Sequence, residues 1–136
     1  MQIASAASAF PTHYYDQETL LAAFQAHWAD KLENPRVLNH FHRSVGVDGR
    51  HLAMPMERYL QLQSWGEAND IWIDAAVELG ERALQTALTR ANLAARQLGA
   101  LFFVSISGVA SPSIDARLIN KMSLSPRIRR LPIFGL

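Results

Sequence analysis

The run LFFVSIS, Leu101–Ser107, constrains this chain more than any other stretch. Its apolar residues follow one another without the alternation of a half-exposed strand. It therefore reads as a β-strand buried on both faces, the kind found in parallel sheets between helical layers. The sequence on either side is helical. Ahead of it, between Glu67 and Arg90, Trp72, Ala76, Leu79, Ala83 and Ala87 form one stripe, which Ile73, Val77, Leu84 and Leu88 widen. A face that broad suits a helix packed between a sheet and a second layer. Behind it, Ser111 is placed as an N-cap, Pro112 at the first helical position and Asp115 in a first turn favoured by the helix dipole. Ile114, Leu118 and Met122 would bury one side of that helix, and Leu131–Phe134 would be the next strand. Strand, helix, strand implies a parallel pair and an α/β fold.

The first half carries weaker signals of the same kind. Gln2–Phe10, rich in small and apolar residues, reads as a buried strand. Asp16 is a good N-cap for a helix bearing Leu20, Leu21, Phe24 and Trp28, and Pro35 opens a second with Val37, Leu38 and Phe41 on its apolar side. Gly46 and Gly49 break the pattern, and Arg50–Tyr59 reads as irregular around Pro55. A short helical piece is expected over Asn92–Leu98, stopped by Gly99. There is no internal repeat and no low-complexity linker, so residues 1–136 read as one continuous unit.

Composition limits the chemistry. With 49% hydrophobic and 18% charged residues the chain is globular, and a net charge of +1 gives no long-range pull on nucleic acid or an acidic membrane. The opening MQIASAASAF has no basic residue and reads as strand rather than signal or anchor, which points to a cytoplasmic protein. No cysteine is present, so these residues hold no disulfide, thiolate metal site or cysteine nucleophile. His40 and His42 are two apart, which on a helix turns them to different faces, and no metal site is expected. Asp70, Asp74, Glu78 and Glu81 read as a solvated helix face, and Arg127, Arg129 and Arg130 as a solvated loop. Ser105 and Ser107 end a strand before Gly108, but SISGV is not the G-x-S-x-G of a nucleophile elbow. From the residues alone, no group here carries catalysis.

Four stretches, in order, resemble the N-terminal part of bacterial type III polyketide synthases, the chalcone and stilbene synthase family. SVGVDGRH (Ser44–His51) resembles the family's T-G-[VI]-x-x-R-[YH] turn, with Gly46, Val47 and Arg50 in register, and HLAMPMERY resembles the segment after it. NDIWIDAAVELGERAL resembles their long helix. SISGVASPSIDARLINKMSLSPRIRRLPIFGL resembles the approach to the active site, with its S-G-V, a proline three residues on, and D-x-x-L.

The resemblance implies the N-terminal portion of a thiolase-like αβαβα fold over residues 1–136, with the C-terminal half absent. The family loads an acyl group from acyl-CoA onto a cysteine and extends it with malonyl-CoA by decarboxylative condensation. It works as a homodimer and needs no cofactor beyond these substrates. The cysteine is expected just after Leu136, and its partner histidine and asparagine in the absent half, so this chain alone is expected to be inactive. By position, Ile106 and Ser107 match residues bordering the acyl pocket. Plant members carry a hydroxyl residue where Ile106 stands, which implies a more apolar pocket here. Ser111 and Pro112 match the loop that crosses the dimer, and Arg36 and Arg43 are the candidates for CoA phosphates. Arg50 is expected to tie its turn down. Two other readings stay open at this point: a ketoacyl-ACP synthase of the same fold, and a non-catalytic dimerising or binding module.

Overall fold

The computed structural model describes residues 2–28 and 35–135, with the side chains of Pro35 and Arg36 left out. They divide into two compact units, residues 11–60 and residues 1–10 with 61–136.

The smaller unit is built on an antiparallel pair, β1 (His13–Asp16) and β2 (Gly49–Leu52), in the register His13↔Leu52 to Asp16↔Gly49. Asp16 then starts α1 (Gln17–Trp28), its Oδ1 accepting the Thr19 N–H at 2.7 Å, so the cap read from the sequence is formed. Pro35 opens α2 (Pro35–Ser44), also as expected. Leu20, Leu21 and Met54 are buried, whereas Phe24, Val37 and Phe41, expected on apolar faces, are exposed. The stretch Arg50–Tyr59 is more regular than its proline suggested. It holds the end of β2 and a short helix, α3 (Met56–Tyr59), with Pro55 at its N-cap. Proline costs a helix nothing before its first turn, where no N–H is needed.

The larger unit is organised by α4 (Trp65–Ala91), a helix capped at both ends. Ser64 Oγ accepts the Glu67 N–H at 3.2 Å, and Asn92, left-handed at φ 53°, ends the helix. Only a single 3-10 turn, Ala95–Gln97, follows in place of the expected helical piece, because the chain has already been turned out at Asn92. Next come β3 (Ala100–Ser105), α5 (Ile114–Lys121) and β4 (Arg129–Phe134). β3 and β4 pair in parallel from Ala100↔Arg129 to Ser105↔Phe134, as the strand–helix–strand order required. Leu88, Ile114, Leu118, Leu124 and Ile128 form the core of this unit. Gly80 lets α5 come close, with Leu118 Cδ1 3.0 Å from where a Cβ would sit. Lys121 and Glu81 bridge the two helices at 2.9 Å.

Three expectations for this unit are corrected. Gln2–Phe10 is not a strand, because no ladder partner exists for it among the described residues. It is held to α4 instead: Ser5 Oγ donates to Ala87 O at 2.7 Å, and Arg90 Nη1 to Ala6 O at 2.8 Å. β3 is covered on one face only. Its residues alternate, with Leu101, Phe103 and Ser105 turned inward and Phe102 65% exposed, since no second layer lies on that face among the described residues. Arg129 and Arg130 belong to β4 rather than to a loop.

Candidate functional site

In α/β folds ligands gather beyond the carboxyl ends of parallel strands. β3 ends at Ser105, two residues before the strand read from the sequence would end, and Ile106 and Ser107 follow it. Both are exposed, Ile106 at 74%. Under this end lies a mainly apolar cavity of about 260 Å³, walled by Trp72 of α4, Phe103 and Ser105 of β3, Gly108 of the loop, and Pro132 and Phe134 of β4. Ser105 and Gly108 line it, while Ile106 and Ser107 between them do not.

The loop over this cavity is held from α4. Gly108 is buried against the Trp72 indole, so closely that a Cβ would overlap the ring. The next residue, Val109, donates its N–H to Asn69 Oδ1 at 2.9 Å and accepts from Asn69 Nδ2 at 2.8 Å. Ser111 and Pro112, joined by a cis peptide bond, are exposed at the far end of the loop. They do not open α5 as expected. The helix starts after Ser113, whose side chain makes no capping bond. The Pro112 carbonyl accepts from Arg117 Nε at 2.9 Å and lies outside the helix.

α5 is tied to β4 by charge. Asp115, expected in the first turn, is wholly buried, and Arg130 Nη1 lies 3.4 Å from its Oδ2. Asp115 Oδ1 has no hydrogen-bond partner among the described residues. Arg130 thus anchors β4, a strand that walls the cavity, a role hidden in the sequence by the separation of the two residues (|i−j|=15).

In the smaller unit, Arg43 lies in an open groove of about 520 Å³ with Gln17, Glu18, His42 and Asp48. Its Nε is 3.7 Å from Glu18 Oε1, both side chains exposed. Arg36 lies in α2, but its side chain is outside those described. Arg50 pairs with Tyr15 on the ladder and is exposed. His42 Nδ1 is 3.0 Å from Gln17 Nε2. Among the described residues no group of three His, Cys, Asp or Glu is placed to hold a metal, and no helix is long and apolar enough to cross a membrane. Asp70, Asp74 and Glu78 lie on the exposed side of α4, where Glu78 meets Arg82 at 3.4 Å.

The sequence reading did not find Asn69, nor the part of Trp72 in walling the cavity. Trp72 was visible as a stripe residue, but Asn69 carries no local signal, because its partner lies forty residues away (|i−j|=40).

No family model matches the chain. It is 38% identical over 134 residues to a 1,3,6,8-tetrahydroxynaphthalene synthase of Streptomyces peucetius subsp. caesius, covering 98% of this chain and 36% of that protein. It is 32% identical over 106 residues to a putative chalcone synthase of Bacillus subtilis, covering 74% of this chain and 29% of that one. Its fold matches the crystal structure of the tetrahydroxynaphthalene synthase of Streptomyces coelicolor A3(2), a bacterial type III polyketide synthase, with a TM-score of 0.85 and 27% identity over 97% of this chain and 38% of that one. A fungal type III polyketide synthase, 18% identical, shares the fold at a TM-score of 0.82, with 98% and 36% covered. The chain thus spans about a third of the length of the proteins it matches. Nothing in these likenesses favours a ketoacyl-ACP synthase or a non-catalytic module. Agreement in both sequence and backbone places the chain in the type III polyketide synthase family, as a part of its thiolase-like fold.

Proposed function

We propose that the protein to which these residues belong is an acyltransferase that condenses an acyl-CoA starter with malonyl-CoA by decarboxylative Claisen condensation. It needs no cofactor beyond these substrates, works as a homodimer, and is cytoplasmic. The observation that carries this reading is the 38% identity to the Streptomyces peucetius enzyme along 98% of the chain. The product class follows the same likeness. Relatives at 30% and 29% identity are named 3,5-dihydroxyphenylacetyl-CoA synthases, so small polyhydroxylated aromatics are proposed rather than long alkyl products.

Ile106 and Ser107 follow β3 and border the growing chain, and Ser111 and Pro112, exposed on the loop, reach toward the second protomer. Arg43 and Arg36 take the CoA phosphates. The exposed Arg43–Glu18 pair is worth about 0–1 kcal/mol, little enough for a phosphate to displace Glu18. The nucleophile must come from residues other than these, because the chain has no cysteine.

A complete enzyme tests the reading. This segment is followed by the C-terminal part of the Streptomyces peucetius relative and given labelled malonyl-CoA with a series of acyl-CoA starters. A labelled aromatic product and an acylated cysteine by mass spectrometry are expected. A folded, dimeric protein that acylates no cysteine overturns the reading.

A further inference from the structure

We propose that Asn69 is a positioning residue of this site, which fixes the Ser107–Pro112 loop through Val109 and thereby controls which product is released. The proposal rests on the synthase reading above.

One carboxamide satisfies both backbone groups of Val109, with N···O distances of 2.8 and 2.9 Å. A hold of that kind fixes orientation as well as position, and it needs a side chain that is donor and acceptor at once. Asn69 and Trp72 are three apart on α4, hence on one helix face. That single face holds two successive loop residues, Gly108 by shape and Val109 by hydrogen bonds. The loop's other bonds lie near its two ends, where the Ser107 N–H donates to Ser105 Oγ at 3.3 Å and Arg117 Nε donates to the Pro112 carbonyl at 2.9 Å. Between them, among the described residues, only Asn69 hydrogen-bonds the loop backbone. Gly108, Val109 and Ala110 wall the 260 Å³ cavity. The Ile106 and Val109 side chains are themselves exposed, so their setting depends on how the loop is held. A loop released from α4 would alter the cavity wall and the position of Ile106 together, without touching any reacting group.

The test uses the complete enzyme described above, unsubstituted and as Asn69→Ala, Asn69→Asp and Asn69→Gln. Asn69→Ala removes both bonds. Asn69→Asp keeps the acceptor for the Val109 N–H but sets an oxygen against its carbonyl. Asn69→Gln keeps both groups on a longer stem. Asn69→Ala is expected to speed hydrogen exchange at the Val109 amide by about tenfold, the loss of one to two neutral hydrogen bonds. The ratio of early-released to full-length products should rise by a similar factor, about tenfold. Acylation of the cysteine and KM for malonyl-CoA should stay within about twofold, since no substrate-binding group has been removed. Asn69→Gln should restore the product ratio in part, and Asn69→Asp should lie between. An unchanged product ratio despite faster Val109 exchange overturns the proposal. So does a parallel fall of melting temperature and total turnover at constant ratio in Ala and Asp alike, the mark of a purely structural contact. No product from the unsubstituted enzyme removes the synthase reading itself and this proposal with it.

Discussion

Asp16 Oδ1 accepts the Thr19 N–H, and that bond, helped by the Thr19 hydroxyl and the Glu18 N–H, holds its carboxyl below the ordinary 3.8. A carboxyl with a depressed folded pKa contributes stability that is complete above 3.8 and is lost as the pH falls through the lower folded value. Asp16→Asn keeps the cap but cannot titrate. The acid-dependent loss of Thr19 amide protection, followed by NMR, should therefore flatten in this variant, and an unaltered acid transition would take Asp16 out of the account. Gly108 supports a prediction of the opposite kind, from excess volume. Gly108→Ala drives a methyl into the Trp72 ring and should cost about 1–3 kcal/mol in denaturant unfolding. In a Trp72→Val background the same substitution should cost much less, giving a coupling well above experimental error. On the synthase reading, Ile106→Thr should shift starter preference toward shorter or more polar acyl groups by about 10- to 200-fold. A chain-length series with unchanged kcat/KM ratios would remove Ile106 from the site. Of these residues, Asp16 was legible because a cap is a local matter of three positions. The burial of Asp115 and the hold of Asn69 were not, since each depends on a partner from another element.

Among the elements, those with a local cause were the legible ones. Asp16 and Pro35 mark helix starts through their own backbone chemistry, and the apolar stripe from Trp72 to Ala87 locates α4 within a few residues. The parallel pairing of β3 with β4 followed from the helix between them. Errors arose where an element needs company. Gln2–Phe10 has strand composition, yet a strand exists only beside another, and here the segment is fastened to α4 by Ser5 and Arg90. α5 begins later than Pro112 suggested because the loop ahead of it is anchored on Asn69 and Trp72. The end of α4 gives a test at this scale. Asn92 holds a left-handed φ of 53°, which β-branched residues tolerate poorly. Asn92→Val should destabilise the unit by about 1–2 kcal/mol and Asn92→Gly should be close to neutral, both measured by urea unfolding. Equal effects of the two would show that the helix ends by some other means.

For the molecule as a whole, the outer face of the β3–β4 pair dominates its behaviour. Phe102, Val104 and Leu131 lie exposed there, a row of apolar side chains of the kind that drives association. The 136 residues alone should therefore associate and bind a hydrophobic dye, and should form neither a polyketide nor an acyl-enzyme. A monodisperse monomer with a cooperative melt would show that this face needs no cover. Phe102→Lys with Val104→Lys should make the isolated chain more soluble and, on the synthase reading, abolish assembly of the complete enzyme. The same strand pair also sets an order in time. Every pairing from Ala100↔Arg129 to Ser105↔Phe134 spans the whole of α5, so β3 cannot find its partner when it leaves the ribosome. Its apolar residues must wait without the partner strand until α5 has formed and β4 has been synthesised. During biosynthesis this interval leaves β3 open to association with other chains.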